Sequence, residues 1–295
     1  MQILAGVAAA QEILVDYLVI AGGGGGGAAT VSSPFESGGG GGAGGLRSTV
    51  TATGGGGTLE SQLVLAPGTN YSVTIGGGGA AASPFLGSNG GSSTFSTITS
   101  DGGGGGGGGT QNGAVGGSGG GQRGGTETSV AGTANQGRAG GKGKSASFQS
   151  AGGGGGGSSV AGSDAITQEG GSGGNGVATD ITGSSVTRAG GGGGASRNSV
   201  GGTHPGGSGG GGSGSNGNSN SSAGSTNTGS GGGAGSHSSV DKAASAGGSG
   251  VVILRYPDTF TITFGAGVTG TESAASGGFK RATITAATAG NVSWA

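Results

Sequence analysis

The sequence predicts a mainly β protein with little or no α-helix. Short β-strands lie at one end, a bundle of packed polyglycine II-type helices lies in the middle, and exposed tip loops lie at the far end. Glycine accounts for 90 of the 295 residues and occurs in unbroken runs. Short segments rich in Val, Ile and Thr, which favour strands, alternate with these runs. Several such segments pass directly into glycine, which indicates one continuous extended backbone.

The glycine runs carry no side chains, so whatever they do depends on their backbones. Collagen is excluded because the chain has five prolines and no glycine at every third position. An isolated left-handed extended helix has three residues per turn and no internal hydrogen bonds. Packed side by side, however, such helices can offer N–H and Cα–H groups to neighbouring carbonyls. The longest runs are 22–27, 38–42, 102–109, 152–157 and 190–194.

The alternative for the glycine-rich segments is a flexible Gly/Ser linker. Residues 206–236 resemble such a linker most, because alanine is their only apolar residue type. Order in this segment is left open by the sequence.

Two nearly continuous apolar segments, Ile13 to Ala21 and Val251 to Tyr256, are predicted to be strands covered on both faces and paired in one sheet. Pro67-Gly68 suits the central positions of a type II turn, so residues 59–75 are predicted to form a hairpin. Weaker strands are predicted at 46–52, 59–65, 71–75 and 94–99.

Three regions follow from this pattern. Residues 1–12 form an N-terminal extension that is a candidate docking segment, and residues 13–257 form the glycine-rich domain. Residues 258–295 form a small β appendage, in which 260–264 and 279–286 alternate polar and apolar residues. Tip loops are predicted at 28–37, 80–89, 110–151, 158–169 and 195–205.

Charge and composition exclude several classes of partner. Eleven basic residues balance twelve acidic ones, so no basic surface is predicted to track a nucleic acid. There is no cysteine for a disulfide or a thiolate metal site. The first cation is Arg47, so the start of the chain lacks the basic region of a secretory signal. No apolar run is long enough to insert into a membrane.

Some sequence motifs suggest catalysis, but the residues around them do not fit the structures that those motifs require. The run 22–27 matches a dinucleotide-binding pattern, but no helix is predicted to follow it. Ser208 lies in a G-x-S-x-G pattern flanked by glycine rather than by a strand and a helix. His204 and His237 lack clustered metal-ligand partners, and the carboxylates are scattered. We therefore predict no enzyme activity, no catalytic residue, no metal site and no cofactor.

Candidate receptor-contact residues fall in the predicted loops. The basic cluster is either a solvated loop face or a contact for an acidic surface glycan. The two Ser-Pro-Phe phenylalanines are either presented at the tip or packed onto the bundle. His204 is a candidate contact or a solvated loop residue. The set comprises Phe35, Phe85, Arg123, Arg138, Lys142, Lys144 and His204.

Several junctions between strands and glycine runs resemble the glycine-rich domain of bacteriophage tail-fibre-type proteins, especially those of marine phages. The resemblance covers roughly residues 13–260 and departs from the family at Leu46, where an aromatic residue is usual. It rests on VDYLVIAGGGGGG, LAPGTNYSVTIGGGG, STFSTITSDGGGGGGGG, ITGSSVTRAGGGGG and AGGSGVVILRYPDTF. A related architecture is that of the adhesin at the tip of T-even-type long tail fibres, in which glycine runs form a packed polyglycine bundle.

The resemblance implies a non-enzymatic virion adhesin or tail-fibre component that acts outside the cell. Its implied partners are a host cell-surface receptor (a glycan or an outer-membrane protein) and other virion proteins, with a homo-oligomer as a further possibility. The alternative is a self-assembling structural subunit of a filament or virion surface. In that case 13–21, 251–256 and 258–295 would make the subunit contacts.

Overall fold

The computed structural model describes residues 11–29, 37–83, 85–145, 150–197, 204–237 and 241–295. These residues form β-strands and extended segments and contain no α-helix. The one helical element in the described ranges is a short 3-10 turn at Gly54–Gly56. The prediction of a mainly β chain with little or no α-helix is confirmed.

The strands are short apart from three that build the sheet core. In chain order they are β1 (Ile13–Ile20), β2 (Leu46–Ser48), β3 (Leu63–Leu65), β4 (Tyr71–Thr74), β5 (Ser93–Phe95), β6 (Ile98–Ser100), β7 (Val177–Thr179), β8 (Val186–Arg188), β9 (Ser236–His237), β10 (Asp241–Lys242), β11 (Val251–Pro257), β12 (Ile262–Phe264), β13 (Val268–Glu272), β14 (Phe279–Ala287) and β15 (Gly290–Trp294).

Two sheets lie at one end of the glycine bundle. The first has the order β13-β14-β11-β1-β2, and β3 also pairs with β1. The second has the order β12-β15-β4-β5-β6. Strands β7 and β8 form a separate pair, as do β9 and β10. As predicted, β1 and β11 are neighbours: they pair antiparallel from Asp16 opposite Arg255 to Ile20 opposite Val251.

Strand β1 is covered on both faces, as its continuous apolar sequence predicts. Alternate residues of a strand point to opposite faces. Tyr17 and Val19 pack with Trp294 in a cluster shared by the two sheets. Leu18 and Ile20 pack on the other face in a second cluster.

The second cluster joins the first sheet to the glycine bundle. It also contains Ala43, which lies within a glycine run, and Ala189, which begins one. Ile181 completes it with no exposed surface. Burial of apolar area contributes about 25 cal/mol per Å², so this cluster fixes the bundle to the sheet.

Asp16 is the one charged residue on the inner part of β1, and it is paired. Its side chain is 5 % exposed and accepts hydrogen bonds from Arg255 Nη2 at 2.6 Å and Arg255 Nε at 3.0 Å. Thr49 Oγ1 donates to its other oxygen at 2.9 Å. A buried carboxylate needs such partners, so Asp16 holds β1 and β11 in register.

The predicted hairpin at 59–75 is wrong, although its turn exists. Gly68 has φ 73° as a type II turn requires, and its N–H donates to the carbonyl of Trp294 at 2.8 Å. The flanking strands do not pair with each other, because β3 pairs with β1 and β4 pairs with β5 and β15. The turn therefore passes the chain from the first sheet to the second.

The strand predicted at 94–99 is instead two strands, β5 and β6, which pair antiparallel around Ser96 and Thr97. Ser96 has φ 52°, a left-handed conformation that serine adopts seldom. The turn contains no glycine or proline, so the sequence pattern did not predict it.

Residues 258–295 share both sheets with the rest of the chain. Strand β14 pairs with β11, and β15 pairs with β4. Trp294 is 1 % exposed, and its ring lies 5.6 Å from that of Tyr256 and 6.4 Å from that of Phe95. The segment that the sequence presents as an appendage thus supplies strands to a common core.

The glycine segments bond to one another with a period of three residues. In segment 21–28, the N–H groups of Ala21, Gly24 and Gly27 donate in turn to the carbonyls of Gly45, Gly42 and Gly39. Gly22 and Gly25 donate to Gly91 and Ser88, and Gly23 and Gly26 donate to Gly248 and Ser245. Successive residues therefore donate hydrogen bonds to three different neighbouring segments.

The carbonyls of the same segment accept from three further segments. Gly22 and Gly25 accept from Gly103 and Gly106, Gly23 accepts from Gly79, and Gly24 accepts from Gly232. Segment 21–28 is thus enclosed by six others. Segments 38–45, 152–157 and 190–196 are enclosed in the same way.

Contact between these backbones leaves no room for side chains. A Cβ added at Gly24 would collide with the carbonyl of Gly104, and one added at Gly41 would collide with that of Gly24. Adjacent Cα–H groups therefore face carbonyl oxygens directly. Such contacts contribute about 0.5–1 kcal/mol each, so the bundle is stable through their number.

Antiparallel strand pairs continue directly into antiparallel glycine pairs. Ile20 lies opposite Leu46 in the β1–β2 pair, and Ala21 then donates to Gly45. Likewise β4 and β5 lead into the bond from Gly91 N–H to Gly77 O. The predicted continuity of strand and glycine run is confirmed.

Two loop predictions need correction. Residues 110–151 are not one tip loop, because 118–122 and 138–141 are bonded segments of the bundle. In 158–169, residues 162–163 are also bonded into the bundle. Residues 206–236, left open by the sequence, include the buried glycines 229, 232 and 235, which bond to segments 21–28 and 38–45.

Substitution of two glycines tests the packing. Gly24→Ala places its methyl against the Gly104 carbonyl inside the bundle and is expected to destabilise the fold by about 3 kcal/mol or more, as overpacking does. Gly77→Ala is the matched control, because a Cβ there meets nothing within 4 Å. Urea unfolding of both variants measures the difference. Equal stability would contradict the close packing of segment 21–28.

Truncation tests whether the last strands belong to the common core. A chain ending at Pro257 loses β12 to β15 and leaves Tyr256 and Phe95 without Trp294. We expect loss of the near-ultraviolet circular dichroism signal and of cooperative thermal unfolding. An independent appendage would instead leave the unfolding midpoint of the remainder unchanged.

Candidate functional site

The bundle has two chemically different ends, which the hydrogen-bond register defines. The sheet end carries Ala21, Gly45 and Ser158, next to the strands. The opposite end, here called the tip end, carries Ala28, Ser37 and the residues level with them. Gly124 N–H donates to Ser37 O at 2.8 Å, and Ala195 N–H donates to Gly38 O at 2.9 Å. The two large sheets lie at the sheet end, whereas of the described strands the tip end carries the short β9–β10 pair beside Ser37.

A polar cleft of about 240 Å³ lies at the tip end. Lys144 Nζ donates to Glu127 Oε1 at 2.9 Å, and the backbone N–H of Lys142 donates to Asp164 Oδ1 at 2.8 Å. The cleft is lined by Glu127, Lys142, Gly143, Lys144, Asp164 and Ala165. Two cations and two carboxylates therefore balance one another within it.

The electrostatics of the cleft follow from these pairs. The hydrogen bond from Lys144, followed by the charge of Lys144, holds the pKa of Glu127 below its usual value. Glu127 is thus ionised at neutral pH. A cleft of zero net charge does not attract polyanions, so it suits a neutral or zwitterionic polar ligand better than the acidic glycan that the lysines alone would favour.

One exposed apolar side chain adjoins the cleft, and a second lies elsewhere at the tip end. Ile166 is 60 % exposed and follows Ala165, whose N–H donates to the carbonyl of Lys142 at 2.8 Å. Phe85 is half-buried at the same end, and its carbonyl accepts from Ala28 N–H at 2.8 Å. The sequence reasoning missed Ile166 and Glu127, since both adjoin the lysines only through folding.

His204 is buried, unlike a solvated loop residue. It is 2 % exposed, and its Nε2 lies 2.6 Å from Ser196 Oγ. Burial lowers the pKa of His204, while the nearby charge of Glu169 and a hydrogen bond to the Gly170 backbone oppose this effect. Ser196 has no exposed surface, so this Ser–His pair offers no nucleophile to a substrate.

The predicted basic cluster is divided by the fold. Arg123, Lys142 and Lys144 lie at the tip end, with Arg123 Nη1 donating to Gly124 O at 3.3 Å. Arg138 lies at the sheet end, where its Nε donates to Ser159 O at 3.2 Å. Arg138 and Lys142 occupy opposite ends of one bundle segment. Phe35 lies outside the described residues.

A second polar cleft, of about 530 Å³, lies at the sheet end. Glu60 accepts from Arg47 at 2.8 and 2.6 Å and from Tyr17 Oη at 2.6 Å. Burial, followed by the bond to Glu60, raises the pKa of Tyr17. All three groups are satisfied by one another, so this cluster holds loop 54–62 on β1 rather than presenting free groups.

Within the described ranges, no three His, Cys, Asp or Glu side chains are grouped closely enough to hold a metal ion. Across the same ranges, no helix has the length and apolar character that crossing a membrane requires.

Comparison with known protein families gives a match over most of the chain. A family model described as a glycine-rich domain matches residues 7–257. No curated protein matches the chain. The matched range includes β1 to β11 and every glycine segment of the bundle described above.

The buried histidine predicts a pH dependence. Because its folded pKa is depressed, the unfolded state binds more protons once the pH falls below ~6.5, and stability is lost in that window. His204→Gln is expected to remove this part of the loss while retaining a polar group near Ser196. Thermal unfolding between neutral and mildly acidic pH measures it, with His237→Gln as control. An unchanged acid loss in His204→Gln would refute the assignment.

Proposed function

The chain belongs to the glycine-rich domain family, and from that premise we propose that it is a non-enzymatic adhesin of bacteriophage tail-fibre type. In this proposal it is a virion component that acts outside the cell. A rigid glycine scaffold presents loops to a host receptor, which is a glycan or an outer-membrane protein. The sheet end faces the other virion proteins.

We further propose that the scaffold is a bundle of polyglycine II-type helices. The three-residue period of donors in segment 21–28 supports this, as does its enclosure by six neighbours. Left-handed extended helices of three residues per turn direct successive amides to three sides. Such a lattice resists bending, because any shift breaks bonds on every side.

The observation that carries the adhesin proposal is the division of the two ends. The described turns of the tip end, such as the one that carries Lys142 and Lys144, lie away from the two large sheets. A fibre component attached at one end and binding at the other requires this arrangement. Recognition sites combine a few polar groups with exposed apolar anchors. The cleft of Lys142, Lys144, Glu127 and Asp164 beside Ile166 has this composition.

A self-assembling structural subunit remains the second candidate. Of its predicted contact segments, 13–21 and 251–256 are largely buried within the chain's own sheets, although Leu14 is 50 % exposed. The third segment, 258–295, supplies strands to both sheets and keeps exposed residues. One outer glycine segment, at 76–82, has the unpaired backbone groups that a contact between subunits requires.

Matched double variants test the adhesin proposal. Lys142→Ala/Ile166→Ala removes an exposed cation and an exposed aliphatic side chain at the tip end. Arg138→Ala/Val160→Ala removes the same types at the sheet end, where Val160 is 48 % exposed. Binding of the labelled proteins to a panel of bacterial cells is the measurement. We expect at least a tenfold loss for the tip variant, equivalent to about 1.4 kcal/mol, and little change for the control.

Replacement of loops 28–37 and 80–89 with Gly-Ser provides a second test. Gly-Ser residues can keep the backbone bonds that Ala82, Gly87 and Ser88 make to the bundle and lose the bond from Gly105 N–H to the Asn89 side chain. Thermal unfolding should therefore change little while cell binding is lost. Binding that survives both the loop replacement and the tip variant would exclude the tip end as the receptor surface.

A further inference from the structure

Segment 76–82 lies on the outside of the bundle and is bonded on one side only. The N–H groups of Gly79 and Ala82 donate inward to Gly23 and Gly26. The carbonyls of Gly77 and Gly79 accept from Gly91 and Gly247. These bonds fix the segment as an outer member of the same lattice.

The remaining backbone groups of the segment point away from the bundle. Among the described residues, no hydrogen bond is donated by the N–H groups of Gly77, Gly78, Ala80 or Ala81. The carbonyls of Gly78 and Ala81 accept none. Gly77, Gly78 and Ala80 are exposed, whereas Gly76 and Gly79 are buried. The bonded N–H groups, at Gly79 and Ala82, are three residues apart, and the free N–H groups lie at the positions between and before them. This is the same three-residue period as in the interior of the bundle.

In the described part of the chain, this edge is open at Gly77. A Cβ added at Gly77 would meet nothing within 4 Å, and only methyl groups project at Ala80 and Ala81. The adjacent outer segment presents Ala243 and Ala246, both exposed. Other outer segments carry longer side chains, such as Lys142 and Asp164, which would hold a second backbone away.

We propose that a second copy of this chain docks an outer glycine segment against 76–82 and extends the hydrogen-bonded bundle across the interface. This inference goes beyond receptor binding and concerns assembly. It resembles the pairing of an exposed sheet edge with another chain, with glycine segments in place of strands.

The stereochemistry selects a second copy as the occupant. Inside the bundle, backbones approach so closely that a Cβ at nearly every position would collide with a carbonyl. A partner bonded in the same way must therefore present an extended glycine segment with free amides and carbonyls. This chain carries such groups on another outer segment at Gly206, whose amide and carbonyl make no hydrogen bond within the described residues. An ordinary protein edge with side chains does not fit.

Sedimentation velocity from low to high micromolar concentration tests this proposal. The unaltered chain is expected to associate as concentration rises. Gly77→Asp adds a charged side chain in open space, so it leaves the fold intact and weakens association at least tenfold. Ala161→Asp, on another exposed outer segment, adds the same charge and is expected to associate like the unaltered chain.

Amide exchange provides a readout that needs no variant. The amides of Gly77, Gly78, Ala80 and Ala81 should exchange rapidly at low concentration and slowly at high concentration. A chain that stays monomeric throughout, or association that Gly77→Asp leaves unchanged, would overturn the proposal. Neither measurement involves cells, so its outcome is separate from that of the adhesin test.

Discussion

Direct contact between glycine backbones is the constraint on which the rest of this structure depends. Each central segment donates hydrogen bonds to three neighbours and accepts them from three others. A Cβ at Gly24 or Gly41 would collide with a neighbouring carbonyl. Glycine loses more conformational entropy on folding than any other residue. The many inter-segment bonds offset that loss collectively, so the bundle is ordered only as a whole.

The sheets provide what the glycine runs lack, which is a sequence-specific register. A run of identical residues can slide along its neighbour with no change of chemistry. Pairing of β1 with β2 and β11, reinforced by the buried pair of Asp16 and Arg255, sets where each run begins. The apolar cluster around Leu18 and Ala43 then fixes the bundle on the sheet.

The division into a closed sheet end and a loop-bearing tip end organises the functional chemistry. Residues distant in sequence, such as Glu127, Lys142 and Asp164, meet because their segments end at the same level of the bundle. The backbone spacing of the lattice, rather than local sequence, places them.

The sequence by itself determined the mainly β class, the strand segments β1 and β11 with their pairing, and the continuity of strands into glycine, because apolar runs and glycine runs are local signals. Tertiary structure alone decided that β3 and β4 belong to different sheets, that Trp294 completes the core, and that 118–122 and 138–141 lie inside the bundle. It also separated Arg138 from Lys142 and buried His204 against Ser196. Glycine segments have no side chains that could specify their neighbours. Which segments bond to each other is therefore decided only when the whole bundle is assembled.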